Sequence, residues 1–282
     1  MTRVCGVIGQ SLRHSISAVF QQAAFDALGL DVRYHSWELA PEGLAIHLAR
    51  LTQPDALGSN VTIPYKLAVL PYLARQDPLV ERVGASNTLV NEHGHLVGYN
   101  TDVGGFLRAL REDGGFDSAG AEVLLLGAGG AARAVAVALL GAGVKRLWLA
   151  NRHRQRANDL ASALGDDRMT MLAWHSVDFQ AILAAVPLVV NATPAGMLGA
   201  GVDTTPLPEP NLAAQALVFD LIANPLETRL MREARQAGAR ALGGLPMLVY
   251  QGAESFQLWT GLAAPIDVMR LAAERAMAKA DH

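Results

Sequence analysis

Glu122-Val-Leu-Leu-Leu-Gly127-Ala-Gly129-Gly130-Ala-Ala132 is the stretch on which the fold turns. An unbroken apolar run, Val123 to Leu126, passes directly into the pattern G-x-G-x-x-A, and an alanine-rich helical segment follows. Gly127 permits a tight turn, Gly129 lets the backbone approach a pyrophosphate, and Ala132 keeps the helix close to its strand. The first turn of that helix offers unpaired N–H groups to phosphate oxygens. A lone glycine motif is weak evidence, but a buried strand before it and a helix after it are the context it requires. The stretch predicts a dinucleotide-binding unit.

The residues after the next strand indicate which dinucleotide. Arg146 to Ala150 reads as that strand, and Asn151-Arg152-His153-Arg154-Gln155-Arg156 follows it. A site selective for NAD carries a carboxylate here to bond the ribose 2′-hydroxyl. This chain has none, and its guanidiniums suit a 2′-phosphate instead. NADP is the expected cofactor, although the same arginines also read as a solvated helix face.

Outward from this unit, short apolar runs alternate with longer amphipathic ones, the pattern of an α/β protein with mostly parallel strands. Strands are predicted at Val4–Ile8, Val32–Leu39 and Leu57–Val61, with helices from about Ser17 to Gly29 and over Gly43–Leu51. In the first helix Phe20, Ala24 and Leu28 share one face. Asn87–Val90 and Leu96–Tyr99 flank Glu92-His93-Gly94-His95 as a hairpin. A helix begins at Asp102 and closes at Gly114-Gly115, and the segment to Gly120 reads as an interdomain connection. Further strands are expected near Met169 and Val186 and over Val218–Leu221 and Ala239–Leu242. Two helices, Pro246–Thr260 and Pro265–Ala280, end the chain with no strand between them, so they are expected to pack back on the first domain. Two domains result: residues 1–101 with 243–282, and a Rossmann domain over 102–242.

The 282 residues are 51% hydrophobic, enough for a sizeable core in two modest domains. A net charge of −3 gives no electrostatic case for nucleic acid. One cysteine, Cys5, excludes an internal disulfide framework and fits a reducing compartment. The opening residues lack the apolar run of a signal peptide, and no stretch approaches the roughly 18 apolar residues of a membrane span. A cytoplasmic enzyme with a small-molecule substrate is expected, with no nucleic-acid, membrane or metal partner.

Hydride transfer from an alcohol also needs a group to take the hydroxyl proton. Asn60-Val-Thr62-Ile-Pro64-Tyr-Lys66 and Gly98-Tyr-Asn100-Thr101-Asp102 place a lysine and an aspartate just past two strand ends, where they could meet in a cleft between domains. Taken alone, Lys66 reads equally as a surface lysine and Asp102 as a helix N-cap. Gln251 lies on a helical face with Met247, Leu248, Ser255 and Leu258, where its amide needs either a ligand or core partners.

These motifs, in order along nearly the whole chain, resemble the shikimate dehydrogenase family. To those above are added His14-Ser15-Ile-Ser17, Gly84-Ala-Ser-Asn87-Thr, Asn191-Ala-Thr-Pro-Ala-Gly196-Met, Met247-Leu-Val-Tyr-Gln251 and Phe256-Gln-Leu-Trp-Thr-Gly261. The resemblance implies an N-terminal α/β substrate domain beside a Rossmann domain, and the NADP-dependent interconversion of shikimate and 3-dehydroshikimate. It places the reaction in the shikimate pathway toward chorismate and the aromatic amino acids. It also implies that Lys66 is the catalytic acid/base with Asp102 beside it, and that Ser15, Ser17, Thr62, Asn87 and Gln251 hold the substrate. By the same resemblance Gly127, Ala128, Gly129, Gly130 and Ala131 hold the pyrophosphate, Asn151, Arg152 and Arg156 the 2′-phosphate, and Leu221 and Gly244 the nicotinamide end. A monomer or homodimer is expected.

Several positions depart from the family pattern. Ala18 stands where a proline usually follows the paired serines, and Gln21-Gln22 where His-Asn is usual. His153 replaces a threonine, and Ala223-Asn224-Pro225 replaces Tyr-Asn-Pro after Asp220. A tyrosine that usually touches substrate is therefore missing, which leaves quinate or another cyclic polyhydroxy acid as an alternative substrate and a non-catalytic ligand-binding homologue as a further one.

Overall fold

The computed structural model describes residues 2–199, 201–207 and 210–280. Residues 1 and 281–282, the ends of the predicted domain spans, lie outside them. The chain divides into two compact units, residues 1–105 with 249–282, and 106–248. It crosses between them inside two helices, after Gly105 and after Leu248.

The first unit contains β1 (Arg3–Gly9), α1 (Ser17–Ala27), β2 (Val32–Glu38), α2 (Leu44–Arg50) and β3 (Gly58–Val61). β4 (Arg75–Gln76), α3 (Pro78–Val83), β5 (Thr88–Glu92), β6 (His95–Tyr99) and the start of α4 (Asp102–Glu112) follow. Its six strands lie in the order β2-β1-β3-β5-β6-β4. β1 pairs in parallel with β2 and β3, and β4 with β6, whereas β5 runs antiparallel to both β3 and β6. The antiparallel pair is the predicted hairpin. Its turn residues His93 and Gly94 both have positive φ, 55° and 88°, the twist that matches right-handed strands.

The second unit contains β7 (Glu122–Leu126), α5 (Gly130–Gly141), β8 (Arg146–Ala150), α6 (Arg154–Leu164), β9 (Met169–Leu172) and α7 (Val177–Leu183). β10 (Leu188–Asn191), β11 (Leu217–Asp220), α8 (Arg229–Gln236) and β12 (Arg240–Leu242) complete its sheet. All pairings are parallel, in the order β12-β11-β10-β7-β8-β9. This is the doubly wound dinucleotide-binding order, and the direction of winding reverses between β7 and β10. The glycine loop leaves β7 at that reversal. The segment 114–120, expected as an interdomain connection, packs within this unit instead: Gly120 donates to the Gly143 carbonyl at 2.9 Å.

The last helices are α9 (Leu245–Thr260) and α10 (Ile266–Ala280). From Val249 onward they belong to the first unit, where α10 packs on α1. Phe25 of α1 and Phe256 of α9 meet with ring centroids 4.9 Å apart, both fully buried. Burial of each ring contributes about 1.5–3 kcal/mol. Leu28, expected on this buried face, is 41% exposed because α1 ends one residue before it. Among the described residues no helix is long and apolar enough to cross a membrane.

Candidate active site

The first unit assembles four of the residues singled out in the sequence. Thr62 leaves β3 by donating its N–H to the Ile8 carbonyl at 2.9 Å, and the turn that follows is closed by Tyr65 N–H on the Thr62 carbonyl. The Tyr65 ring is buried and the Ser86 N–H bonds the Lys66 carbonyl at 2.8 Å, so the Lys66 backbone is held at both ends of this turn. Its Nζ lies 2.5 Å from Asp102 Oδ2, with side-chain exposures of 15% and 7%. A charge-assisted contact this close and this dry is among the stronger polar interactions available.

Asp102 begins α4, and its carboxylate is held on both oxygens. Oδ2 faces Lys66, and Oδ1 accepts from Asn87 Nδ2 at 2.9 Å. Asn87 Nδ2 also reaches Gln251 Oε1 at 3.2 Å and Thr101 Oγ1 at 2.9 Å. Gln251 approaches because Gly105 has no side chain: a Cβ there would lie 2.7 Å from the Gln251 backbone nitrogen. Lys66, Asp102, Asn87 and Gln251 thus form one constellation. Its chemistry is that of proton exchange: an ammonium at a partly open position, a buried carboxylate that stabilises it, and two amides able to bond hydroxyl groups.

Thr62 stands on the same turn as Lys66. Ser15 and Ser17 are both half-buried at the start of α1, and neither caps it, since the N-cap is Ile16 and makes no side-chain cap bond. Ser17 is the first residue of the helix, one past the N-cap position. Ser15 Oγ accepts from the Ser17 N–H at 3.4 Å.

Sequence reasoning did not single out Asn60, Thr88, Thr101 and Ser255 as site residues, yet all four are buried in a polar network directly behind Asn87. Asn60 and Thr101 stood inside quoted motifs, and Ser255 one helical turn beyond Gln251. Glu254 carried no signal. It is exposed as a residue, but its carboxyl packs on Gly104, and loss of solvent followed by the charges of Asp102 and Asp77 pushes it up to about 7.

In the second unit Gly127 takes φ +111°, and a Cβ there would lie 2.9 Å from the Ala192 carbonyl, so only glycine fits. Gly129 is the N-cap of α5 without a side-chain cap bond, and the space a Cβ would occupy is open. The free N–H groups of this helix start, Gly130 and Ala131 included, are thereby left for an anion. Leu126 pairs with Ala150 across β7 and β8, so Gly127–Ala131 and Asn151–Arg156 emerge side by side at one sheet edge. Arg152 and Arg156 are exposed, and Asn151 Nδ2 bonds the His153 carbonyl at 2.8 Å. An open anion cradle beside guanidiniums, with no carboxylate at the end of β8, fits a phosphorylated dinucleotide.

Leu221 and Gly244 also meet. Gly244 donates to the Ile222 carbonyl at 2.9 Å, and a Cβ on it would lie 2.1 Å from the Leu221 carbonyl. The loop after Leu221 is anchored by Asp220, fully buried, which accepts from Asn191 Nδ2 at 2.9 Å, the Ile222 N–H at 3.2 Å and Thr228 Oγ1 at 2.6 Å. Burial outweighs these three donors and pushes the Asp220 carboxyl up to about 6.

An acid–base constellation on an α/β unit and a dinucleotide cradle on a doubly wound sheet together define an NADP-dependent dehydrogenase. Residues 7–89 match the "Shikimate dehydrogenase substrate binding domain", 110–230 "Shikimate / quinate 5-dehydrogenase" and 244–274 "Shikimate 5'-dehydrogenase C-terminal domain". A shikimate dehydrogenase (NADP(+)) of Symbiobacterium thermophilum is 45% identical over 98% of this chain and 95% of its own. The structure of a shikimate 5-dehydrogenase from Thermus thermophilus in complex with NADP(H) and shikimate has a TM-score of 0.87 at 38% identity, covering 97% of this chain and 99% of that one. A quinate dehydrogenase from Corynebacterium glutamicum in complex with NAD has the same TM-score at 32% identity, covering 97% and 99%. The chain belongs to the shikimate dehydrogenase family.

Proposed function

We propose that this chain catalyses the reversible NADP-dependent oxidation of shikimate to 3-dehydroshikimate. The observation that carries the reading is the 2.5 Å contact of Lys66 with Asp102, joined to Asn87 and Gln251 in one unit. Lys66 Nζ exchanges the proton of the substrate hydroxyl as it becomes a carbonyl, and Asp102 keeps the ammonium oriented and stabilised. Asn87 and Gln251 bond the remaining hydroxyls. Ser15 and Ser17 bond the carboxylate without adding charge, and Thr62 closes the wall beside Lys66. NADP supplies the hydride acceptor when bound. Gly127, Ala128, Gly129, Gly130 and Ala131 cradle its pyrophosphate, Asn151, Arg152 and Arg156 take the 2′-phosphate, and Leu221 and Gly244 border the nicotinamide. The enzyme is proposed to work in the cytoplasm as a monomer or homodimer.

A second reading, quinate or a related acid as substrate, rests on Ala223 standing where the family pattern has tyrosine. Turnover of shikimate and quinate, each with NADP and NAD, separates the two. The first reading expects the highest kcat/KM for shikimate with NADP, and a higher value for quinate would overturn it.

A further inference from the structure

Behind the constellation lies a connected chain of buried polar groups that leads from Tyr34 to the Asn87 amide. Tyr34 Oη donates to Asn60 Oδ1 at 2.7 Å. Having accepted there, the Asn60 amide presents its Nδ2 hydrogens forward, to Ser255 Oγ at 3.0 Å and Thr88 Oγ1 at 3.2 Å. Ser255 donates to the Gln251 carbonyl at 2.9 Å, which ties α9 to the network. Thr88 Oγ1 accepts from Asn60 and shares its own hydrogen between Asn87 Oδ1 at 3.2 Å and Ser255 Oγ at 2.8 Å, a contact in which either hydroxyl can donate. The Thr101 N–H supplies a second donor to the same oxygen at 2.8 Å. With two donors on Oδ1, the Asn87 amide has one satisfied orientation, Nδ2 toward Asp102 Oδ1. Turned over, it would set its NH2 against the Thr101 N–H and its oxygen against a carboxylate, leaving buried polar groups unpaired.

We propose that Asn60, Thr88 and Ser255 are positioning residues: their hydrogen-bond chain sets the direction of the Asn87 amide, and through it aims the Asp102 carboxylate at Lys66. None of the three touches the Lys66–Asp102 pair. All are buried, on β3, β5 and α9, so the active constellation is held from three elements at once. The inference rests on the proposed reaction for its kinetic readout but not for its structural one.

Thr88→Val keeps the shape of the side chain and removes the hydrogen bond to Asn87, while Thr88→Ser restores it. Ser255→Ala breaks the chain at its other branch. The expected result for Thr88→Val is a kcat about tenfold lower with a substrate KM changed by less than about threefold, and a Tm lowered by only a few degrees. Thr88→Ser is expected to return kcat, and Ser255→Ala to lower it in the same direction by less. Independently of turnover, the side-chain amide resonances of Asn87 in a 15N-labelled sample are expected to move in Thr88→Val and to return in Thr88→Ser. If Thr88→Val does not fold, Ser255→Ala decides on the same readouts. Unmoved Asn87 resonances with an unchanged kcat in a folded variant would overturn the proposal. Absence of shikimate turnover in the wild type would instead overturn the reaction, with the resonances still deciding the chain.

Discussion

Asp102→Asn changes almost no volume, and the structure shows why it is nonetheless costly. Both partners of the carboxylate are donors: Lys66 Nζ at 2.5 Å on Oδ2 and Asn87 Nδ2 at 2.9 Å on Oδ1. An asparagine offers one oxygen, so its NH2 must face one of those donors. If it faces Asn87, that amide loses its acceptor; if it faces Lys66, an ammonium is left beside a donor. Breaking a buried ion pair on one side costs about 3–5 kcal/mol, much of it from the charge left behind. Lys66 is 15% exposed and recovers part of that by turning to water. About 3 kcal/mol of lost transition-state stabilisation remains, a fall of about a hundredfold in kcat. Steady-state NADP reduction with shikimate, followed by nicotinamide absorbance, gives the rate, and a melting curve shows that the variant is folded. A kcat within about threefold of wild type would refute the reasoning, since it would mean that neither the charge nor the geometry of Asp102 is used.

Three further outcomes follow from other parts of the molecule. Arg152→Ala, read by cofactor kinetics, is expected to raise KM for NADP about ten- to hundredfold, the worth of one charge-assisted bond, and to leave KM for NAD unchanged. Gly105→Ala is expected to lower stability by about 1–3 kcal/mol and to raise the substrate KM, because its Cβ would meet the backbone of Gln251 at 2.7 Å. Gly141→Ala in α5, where a Cβ meets nothing within 4 Å, is the matched control, expected in the same denaturant titration to cost nothing. Asp220, pushed up to about 6 in the fold from 3.8, binds more protons folded than unfolded between those values. Its contribution to stability therefore falls as pH rises through that window, by about 3 kcal/mol in all. Glu254, pushed up to about 7, gives a decline of the same sign in both proteins, so melting of wild type and Asp220→Asn from pH 4 to 7 is expected to show a steeper decline in the wild type, and parallel curves would contradict it.

Much of the architecture was legible because it rests on period and punctuation. Val123–Leu126 followed by the glycines announced the second sheet, and the apolar strands after it appeared within two residues of where they lie. What escaped was short or capped. α3, α7 and α8 are brief helices that begin at Asp77, Ser176 and Thr228, each of which accepts from a backbone N–H of its own first turn. Those caps are visible in the sequence, but too few apolar positions follow to raise a periodic signal. β4 has two residues, and only its pairing with β6 makes it a strand. The first sheet is mostly parallel as expected, but the antiparallel pairing of β3 with β5 within it depends on partners that no local pattern names.

The site was legible unevenly for a related reason. Lys66 and Asp102 stood at strand ends, where position alone suggests chemistry, whereas their contact is a fact of tertiary packing over 36 residues of sequence separation. Asn60 and Ser255 are 195 residues apart, and a buried asparagine or serine looks the same in sequence whether it holds water, backbone or another side chain. Family resemblance named the residues proposed to hold ligands and passed over those behind them. The network that orients Asn87 became visible only with coordinates.

The central claim is that Lys66 exchanges the hydroxyl proton of shikimate while NADP takes the hydride. Shikimate-dependent NADP reduction by the purified wild type and by Lys66→Met, at equal folded concentration, tests it most directly. Turnover by the wild type and a loss of about a hundredfold or more in the variant, with shikimate still bound, are expected. Unchanged turnover in Lys66→Met, or none with shikimate in the wild type, would contradict it.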